Sequence, residues 1–309
     1  EITTRLVGSE MCIRDSPTVL TMTVVPILGA GSSMADYRIG FKWWALIIAV
    51  VFVISELVCV ACVPERPVAC DEKPGKISDM FKALFKNDQA MTVVVSIILV
   101  YTSLNICGNL VLYFFRFDVG NEGAYSIFAA VAFAAQVLVM MVIPLLRKRF
   151  SKSQLFISGF IIQIAGFAVI LIMAFAKLYT PQSWYILCLP GILIYLGYGM
   201  LNVIMTIFLS DSVDYGEVMN GTREESVIFS MQTFTVKLAS GVAVFLAGLV
   251  VDWIHLDTAA AVQTQDTLDA LRMWMTIPSV ILLIVGIFVF KRFYKLDDTR
   301  MEEIKSKLN

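Results

Sequence analysis

The chain has 309 residues, of which 58% are hydrophobic and only 16% charged, with a mean hydropathy of +0.79 and a net charge of −1. A soluble domain carries about 25% charged residues, so this balance excludes an ordinary soluble fold and gives no basis for nucleic-acid binding. Six cysteines are present, and the one close pair, Cys59 and Cys62, lies in an apolar run far from the single histidine, His255. That argues against a zinc or redox centre and for thiols acting as small hydrophobes.

Residues 1–16, EITTRLVGSEMCIRDS, are polar and without period. They read first as translated sequencing adapter, and otherwise as a native cytoplasmic loop or tail. As adapter they stand apart from the fold, and the chain is then expected to be an N-terminally truncated fragment. Eight apolar runs come after them, at about 17–32, 43–63, 91–114, 123–146, 154–176, 185–210, 226–251 and 273–291. All but the short first run are long enough to cross a bilayer as a helix, and none alternates as a strand would. The expected class is therefore all-α integral membrane.

The connection 64–90 contains Pro64, Pro67 and Pro74 and then the amphipathic ISDMFKALFKND, and reads as a joint between two groups of helices. Charge sets the orientation. Segments 64–90, 147–153, 211–225 and the tail from Lys291 carry 16 Lys and Arg, against five (Arg38, Lys42, Arg116, Lys177, Arg272) on the other side. The positive-inside rule puts the richer side and the C-terminus in the cytoplasm. The run RKRFSK at 147–152 serves as an anchor there, and the tail of alternating charge as a solvated surface helix.

Among polar residues in the runs, Glu56 needs a partner or water, with a hydrogen-bonded structural acid as the simplest account. Asn105 and Asn109, one helical turn apart, suit either sugar hydroxyls or a helix–helix contact. Gln136 and Gln163 read as helix–helix contacts, and Pro144, Pro190, Gly197 and Gly199 as points where helices can bend.

The most informative stretch is DSVDYGEVMNGTREESVIFSMQTFTVK, Asp211 to Lys237. Its first half reads as a charged loop bearing Asp211, Asp214, Glu217, Arg223, Glu224 and Glu225. Its second half enters an apolar helix in which Lys237 lies ~16 Å from a start near Ser226, close to the midplane of a hydrocarbon core about 30 Å thick. Ser226, Ser230, Thr233, Lys237, Ser240 and Gly241 share one helical face. A lysine at that depth requires an acid, a wet cavity or a substrate, so the stripe reads as the wall of a polar pathway.

This stretch resembles the signature of the glycoside–pentoside–hexuronide:cation symporters, the melibiose-carrier-like family of the major facilitator superfamily. An acid, two residues, DYGE, a turn with Gly221 and Arg223, Glu225, then Ser, Phe and the helix lysine carry the likeness, with FKALFKND and the YKLDD tail in support. The resemblance covers 17–309 and implies a major facilitator superfamily fold, with about eight transmembrane helices here equivalent to helices 5–12 of 12. Residues 17–63 would close the N-terminal half, 64–90 form the cytoplasmic inter-half loop, 91–291 the C-terminal six-helix half and 292–309 a cytoplasmic tail.

It further implies cation (Na⁺ or H⁺):sugar or glycoside symport by alternating access at a bacterial plasma membrane, with no enzymatic activity, no metal site in this stretch and no nucleic-acid partner. Lys237 and Thr233 would flank the sugar pathway, and Asn202 stands where some members carry an aromatic residue. Apart from the resemblance, the stripe itself offers Ser230, and Asn105 and Asn109 stay as candidates for sugar hydroxyls or a helix–helix contact. Asp211, Asp214, Tyr215, Glu217, Arg223 and Glu225 would supply gating charge pairs in a cytoplasmic loop. The coupling cation would be bound mainly by the first four helices, which this stretch does not include. Alternative readings are a lipid or lysolipid carrier on the same fold, and a non-transporting membrane receptor or assembly subunit.

Overall fold

In a computed structural model the described residues are 34–62, 85–220, 225–258, 260, 262–296 and 298–308. They form helices and no strand. We number the helices α1 (Met34–Cys62), α2 (Asp88–Tyr113), α3 (Ala124–Leu146), α4 (Lys152–Phe175), α5 (Cys188–Asn220), α6 (Glu225–Trp253), α7 (Gln265–Phe293) and α8 (Asp298–Leu308). A π turn, Phe114–Asp118, extends α2, and a 3₁₀ turn, Trp184–Leu187, precedes α5. Seven of these helices are long and apolar enough to cross a membrane, which agrees with the expected all-α class. The expected run at 17–32, most of the connection 64–90 and Arg223 lie outside the described residues.

The chain divides into two units, one spanning Ser9–Lys76, whose described part is α1, and one holding α2 to α8. Glu56 lies on α1, six residues before its end. In the larger unit α2 packs on α6 and α7, α5 packs on α3 and α4, α2 touches α5, and α4 touches α7. Exchanging α2, α3 and α4 for α5, α6 and α7 maps these neighbours onto themselves, apart from a lighter contact of α5 with α6 that has no counterpart of that extent between α2 and α3. Three crossings separate the equivalent helices, so the two triplets run in opposite senses, as an inverted repeat does.

Glycine sets the closest seam. A Cβ on Gly197 of α5 would lie 2.6 Å from the Gly159 carbonyl and the Gln163 backbone nitrogen of α4, and one on Gly166 would lie 2.8 Å from the Ile194 nitrogen. Backbones this close leave no room for a side chain, and their contact replaces the hydrophobic drive that lipid cannot supply. The expected contact role of Gln163 fits this crossing, where its side chain is fully buried. Gly197 therefore acts as a packing residue rather than a bend.

Across the α2–α7 seam, Ser103 donates to the Ser279 carbonyl (3.1 Å) and Ser279 to the Ser103 carbonyl (2.8 Å). Phe156, Phe160, Phe208 and Phe290 fill the core among α4, α5 and α7, with ring centroids 4.5–5.2 Å apart. Large apolar side chains face outward instead: Leu138, Met141 and Leu145 on α3 and Ile281, Ile284 and Phe288 on α7 are all more than half exposed. An apolar exterior around a packed interior is what a bilayer demands.

One expectation is corrected. Asp211, Asp214, Tyr215 and Glu217 stand on the last turns of α5, which continues to Asn220, and not in a loop. The first sequence able to break the helix is Asn220–Gly221, and the acids upstream, Asp211, Asp214 and Glu217, are buried or half-buried. A run of charge ends an apolar stretch; it does not by itself end a helix.

Candidate functional site

Helix α6 has three faces. Ile228, Thr235, Ala239, Ala243, Ala247 and Val250 are buried, and the alanines, four residues apart, let the backbone approach α2. Phe234, Leu238 and Phe245 form an exposed apolar face. Ser230, Thr233, Lys237 and Gly241 are exposed on the third, with Ser240 half-buried beside them. The predicted stripe is thus a single surface that no other helix of the unit covers.

Lys237 makes no hydrogen bond or ion pair among the described residues, whereas Thr233 and Ser240 cap carbonyls of their own helix (3.4 and 3.0 Å). Counting from Glu225, the ammonium is carried ~18 Å along the helix. An uncovered lysine at that depth offers three donors and a full charge to whatever occupies the space before it.

Asn105 and Asn109 are half-buried on one face of α2, flanking the exposed Gly108. Their amide groups donate to the carbonyls of Tyr101 and Asn105 (both 2.7 Å), which leaves the side-chain oxygens as acceptors. Asn202 stands apart from both sets. It is 1% exposed, and its Oδ1 accepts from the Tyr101 hydroxyl at 3.0 Å. Thr206 donates to the Asn202 carbonyl (3.1 Å), and Gln232 of α6 reaches Thr206 Oγ1 at 3.4 Å. Asn202 therefore belongs to a buried polar chain joining α2, α5 and α6, with its amide nitrogen unpartnered in the structure. Nothing in the sequence marks Tyr101 or Gln232 for this role, since an isolated Tyr or Gln in an apolar run is common.

The acids of the signature gather at the end of the bundle that carries α8. Asp211 is buried and paired with Lys152, the first residue of α4. Lys152 also lies 3.6 Å from Asp298, which is 3.5 Å from Arg147. RKRFSK is thus more than an anchor: it supplies the cation for the signature's first acid. Asn87 donates to the Ser212 carbonyl at 2.8 Å and would meet a Cβ on Gly216 at the same distance, so the glycine of DYGE is where FKND docks. Tyr215 bonds the Asp88 carboxylate and packs with Val218 against Leu296, Met301 and Ile304 of the tail. Tyr294 sits in this cluster, where burial and then the charges of Asp211 and Asp298 hold its hydroxyl protonated far above the ordinary range. Asp214 and Glu217 are half-buried on α5, and Glu225 is exposed at the start of α6.

At the opposite end Arg272 of α7 grips Asp118 through Nε (2.8 Å) and Nη2 (2.5 Å), while its Nη1 meets Asp269 at 2.6 Å. Tyr179, from the loop between α4 and α5, donates to Asp118 at 2.7 Å. Charge counting marks Arg272 only as a guide to topology, and its acid, 154 residues away, carries no motif. Among the described residues no group of His, Cys, Asp and Glu could hold a metal ion.

Residues 4–298 match the family model described as MFS/sugar transport protein. Relatives include an uncharacterized symporter of Bacillus subtilis, 24% identical over 94% of this chain and 61% of that protein. A raffinose carrier protein of Pediococcus pentosaceus is 23% identical over 94% of this chain and 45% of its own length. An isoprimeverose transporter of Lactiplantibacillus pentosus is 25% identical over 90% and 56%. The chain thus spans about half to three fifths of the length of these relatives. With that match, its membrane-length helices and its apolar exterior, the chain is a multi-pass membrane protein that belongs to the MFS/sugar transport protein family.

Proposed function

We propose that this chain belongs to a bacterial plasma-membrane symporter that moves a sugar or glycoside with Na⁺ or H⁺ by alternating access, its C-terminus in the cytoplasm. The observation that carries the reading is Lys237, uncovered in the middle of a polar stripe on an otherwise apolar helix. The names of the relatives, which specify raffinose, isoprimeverose and lactose, support a sugar as cargo.

A polyol is bound by groups that donate and accept at fixed positions, and the stripe provides them. Lys237 donates to sugar hydroxyls or pairs with an acid outside this six-helix unit. Ser230 and Thr233 line the approach, and Asn105 and Asn109 offer carbonyl oxygens from α2. Asn202 acts from beneath, holding Tyr101 and Thr206 rather than touching the cargo. Helices outside this stretch bind the coupling cation. Asp211 with Lys152 and Asp298 holds the cytoplasmic ends of α3, α4 and α5 together while the site opens to one side at a time. The exposed hydroxyls on the stripe favour a sugar over a lysolipid, whose chain would need an apolar wall.

The test is uptake into vesicles by the protein from its complete gene, using labelled α- and β-glycosides, xylosides and glucuronides with imposed Na⁺ or H⁺ gradients. Accumulation of at least one of them under a gradient is expected, and its loss in Lys237→Ala. Equal uptake with and without both gradients, in folded protein, contradicts coupled transport.

A further inference from the structure

The exchange that relates the two helix triplets also relates two buried ion pairs. At the tail end, Asp211 on α5 meets Lys152 at the start of α4. At the far end, Asp118, closing the π turn after α2, meets Arg272, the eighth residue of α7. Substituting α2 for α5 and α7 for α4 turns one description into the other. Each triplet's first helix is thus tied at its end to the other triplet's third helix.

The far pair is the more closed of the two. Both side chains are under 5% exposed, and the carboxylate of Asp118 accepts two bonds from the guanidinium and one from Tyr179. Burial first, and then the bond to Asp118, hold the Tyr179 hydroxyl well above its usual range, so it remains a donor. The π turn matters here. An i→i+5 turn adds one residue to the local repeat, which rotates the residues beyond it by about a hundred degrees relative to an unbroken α-helix. Asp118 meets both Arg272 and Tyr179 in that register.

Apolar side chains of equal volume would hold α2 on α7 at least as firmly. What a bidentate fork adds is direction: it fixes the rotation of α2 about its own axis. We propose that Asp118 and Arg272 are positioning residues for transport, a brace at the far mouth matching Lys152–Asp211 at the tail mouth. Together the braces make the unit that carries Lys237 turn as one body in both halves of the cycle. The inference rests on the transport reading above.

The test compares purified full-length protein with D118N, R272Q and the double variant D118N/R272Q, measuring sugar binding and initial uptake rate. The double variant buries two amides and no lone charge, so it decides the matter where a single variant fails to fold. Its sugar Kd should stay within about threefold of wild type. Its uptake rate should fall about tenfold, within the range that altered coupling produces. K152Q/D211N should show the same split. A double variant that transports at the wild-type rate overturns the proposal, as does one that loses binding in step with transport. Wild-type protein that takes up no sugar sinks the transport reading instead.

Discussion

The two charged ends of the six-helix unit are built from different cations, and the difference separates a fixed joint from an adjustable one. Arg272 presents a planar fork, and each of its three nitrogens has a carboxylate partner at 2.5–2.8 Å. Lys152 is a point charge shared by Asp211 and Asp298, with Arg147 competing for the second acid. A guanidinium fork holds one geometry, whereas an ammonium can pass between acids with little reorientation. The adjustable joint is the one in contact with the tail helix and with the signature acids. The far joint has no such neighbour among the described residues.

Breaking one partner at a time should expose this contrast. The largest effect is expected for Asp118→Asn, which leaves Arg272 buried with only Asp269 beside it. A loss of about 3–5 kcal/mol is expected for an orphaned buried ion, read as the midpoint of denaturant unfolding in detergent, with much of it recovered in D118N/R272Q. Between the two ends, Gly197→Ala drives a methyl into the α4 backbone and should cost about 1–3 kcal/mol in the same assay. Asp211→Asn should cost less than Asp118→Asn, about 1–3 kcal/mol, because Asp298 remains to take up Lys152. Asp298→Asn should be smallest, about 0.2–1 kcal/mol, since that carboxylate is 40% exposed and its pairs are long. If Asp211→Asn proved as damaging as Asp118→Asn, the idea that Asp298 can substitute would be wrong.

Much of the fold is legible in the sequence because a bilayer imposes simple rules. Apolar length locates seven spans, four of them to within three residues, while α1 and α7 begin nine and eight residues earlier than expected and α5 ends ten later. Three- and four-residue steps place Ser230, Thr233 and Lys237 on one face. The remainder depends on contacts between distant segments. Arg272 and Asp118 form no local pattern, and neither do Tyr101 and Asn202, which meet across 101 residues. The family pattern alone makes Asn202 face the cargo. Its burial under Tyr101 comes from the packing of α2 on α5, which no single helix reveals. The end of α5 lies beyond its expected place for a related reason. Hydropathy stops at Ser210, but the helix persists because Lys152, Asn87 and the tail satisfy the groups beyond it.

Sugar transport along the α6 stripe requires that Lys237 face a water-filled space that the sugar occupies. The direct measurement replaces Lys237 by cysteine in full-length protein whose other cysteines are removed, and treats it with aminoethyl methanethiosulfonate with and without sugar. Labelling slowed by the transported sugar is expected, with partial return of uptake, because the attached group restores an ammonium near the original reach. A thiol that never reacts in folded, binding-competent protein, or that reacts at one rate whatever sugar is present, would contradict transport along this stripe.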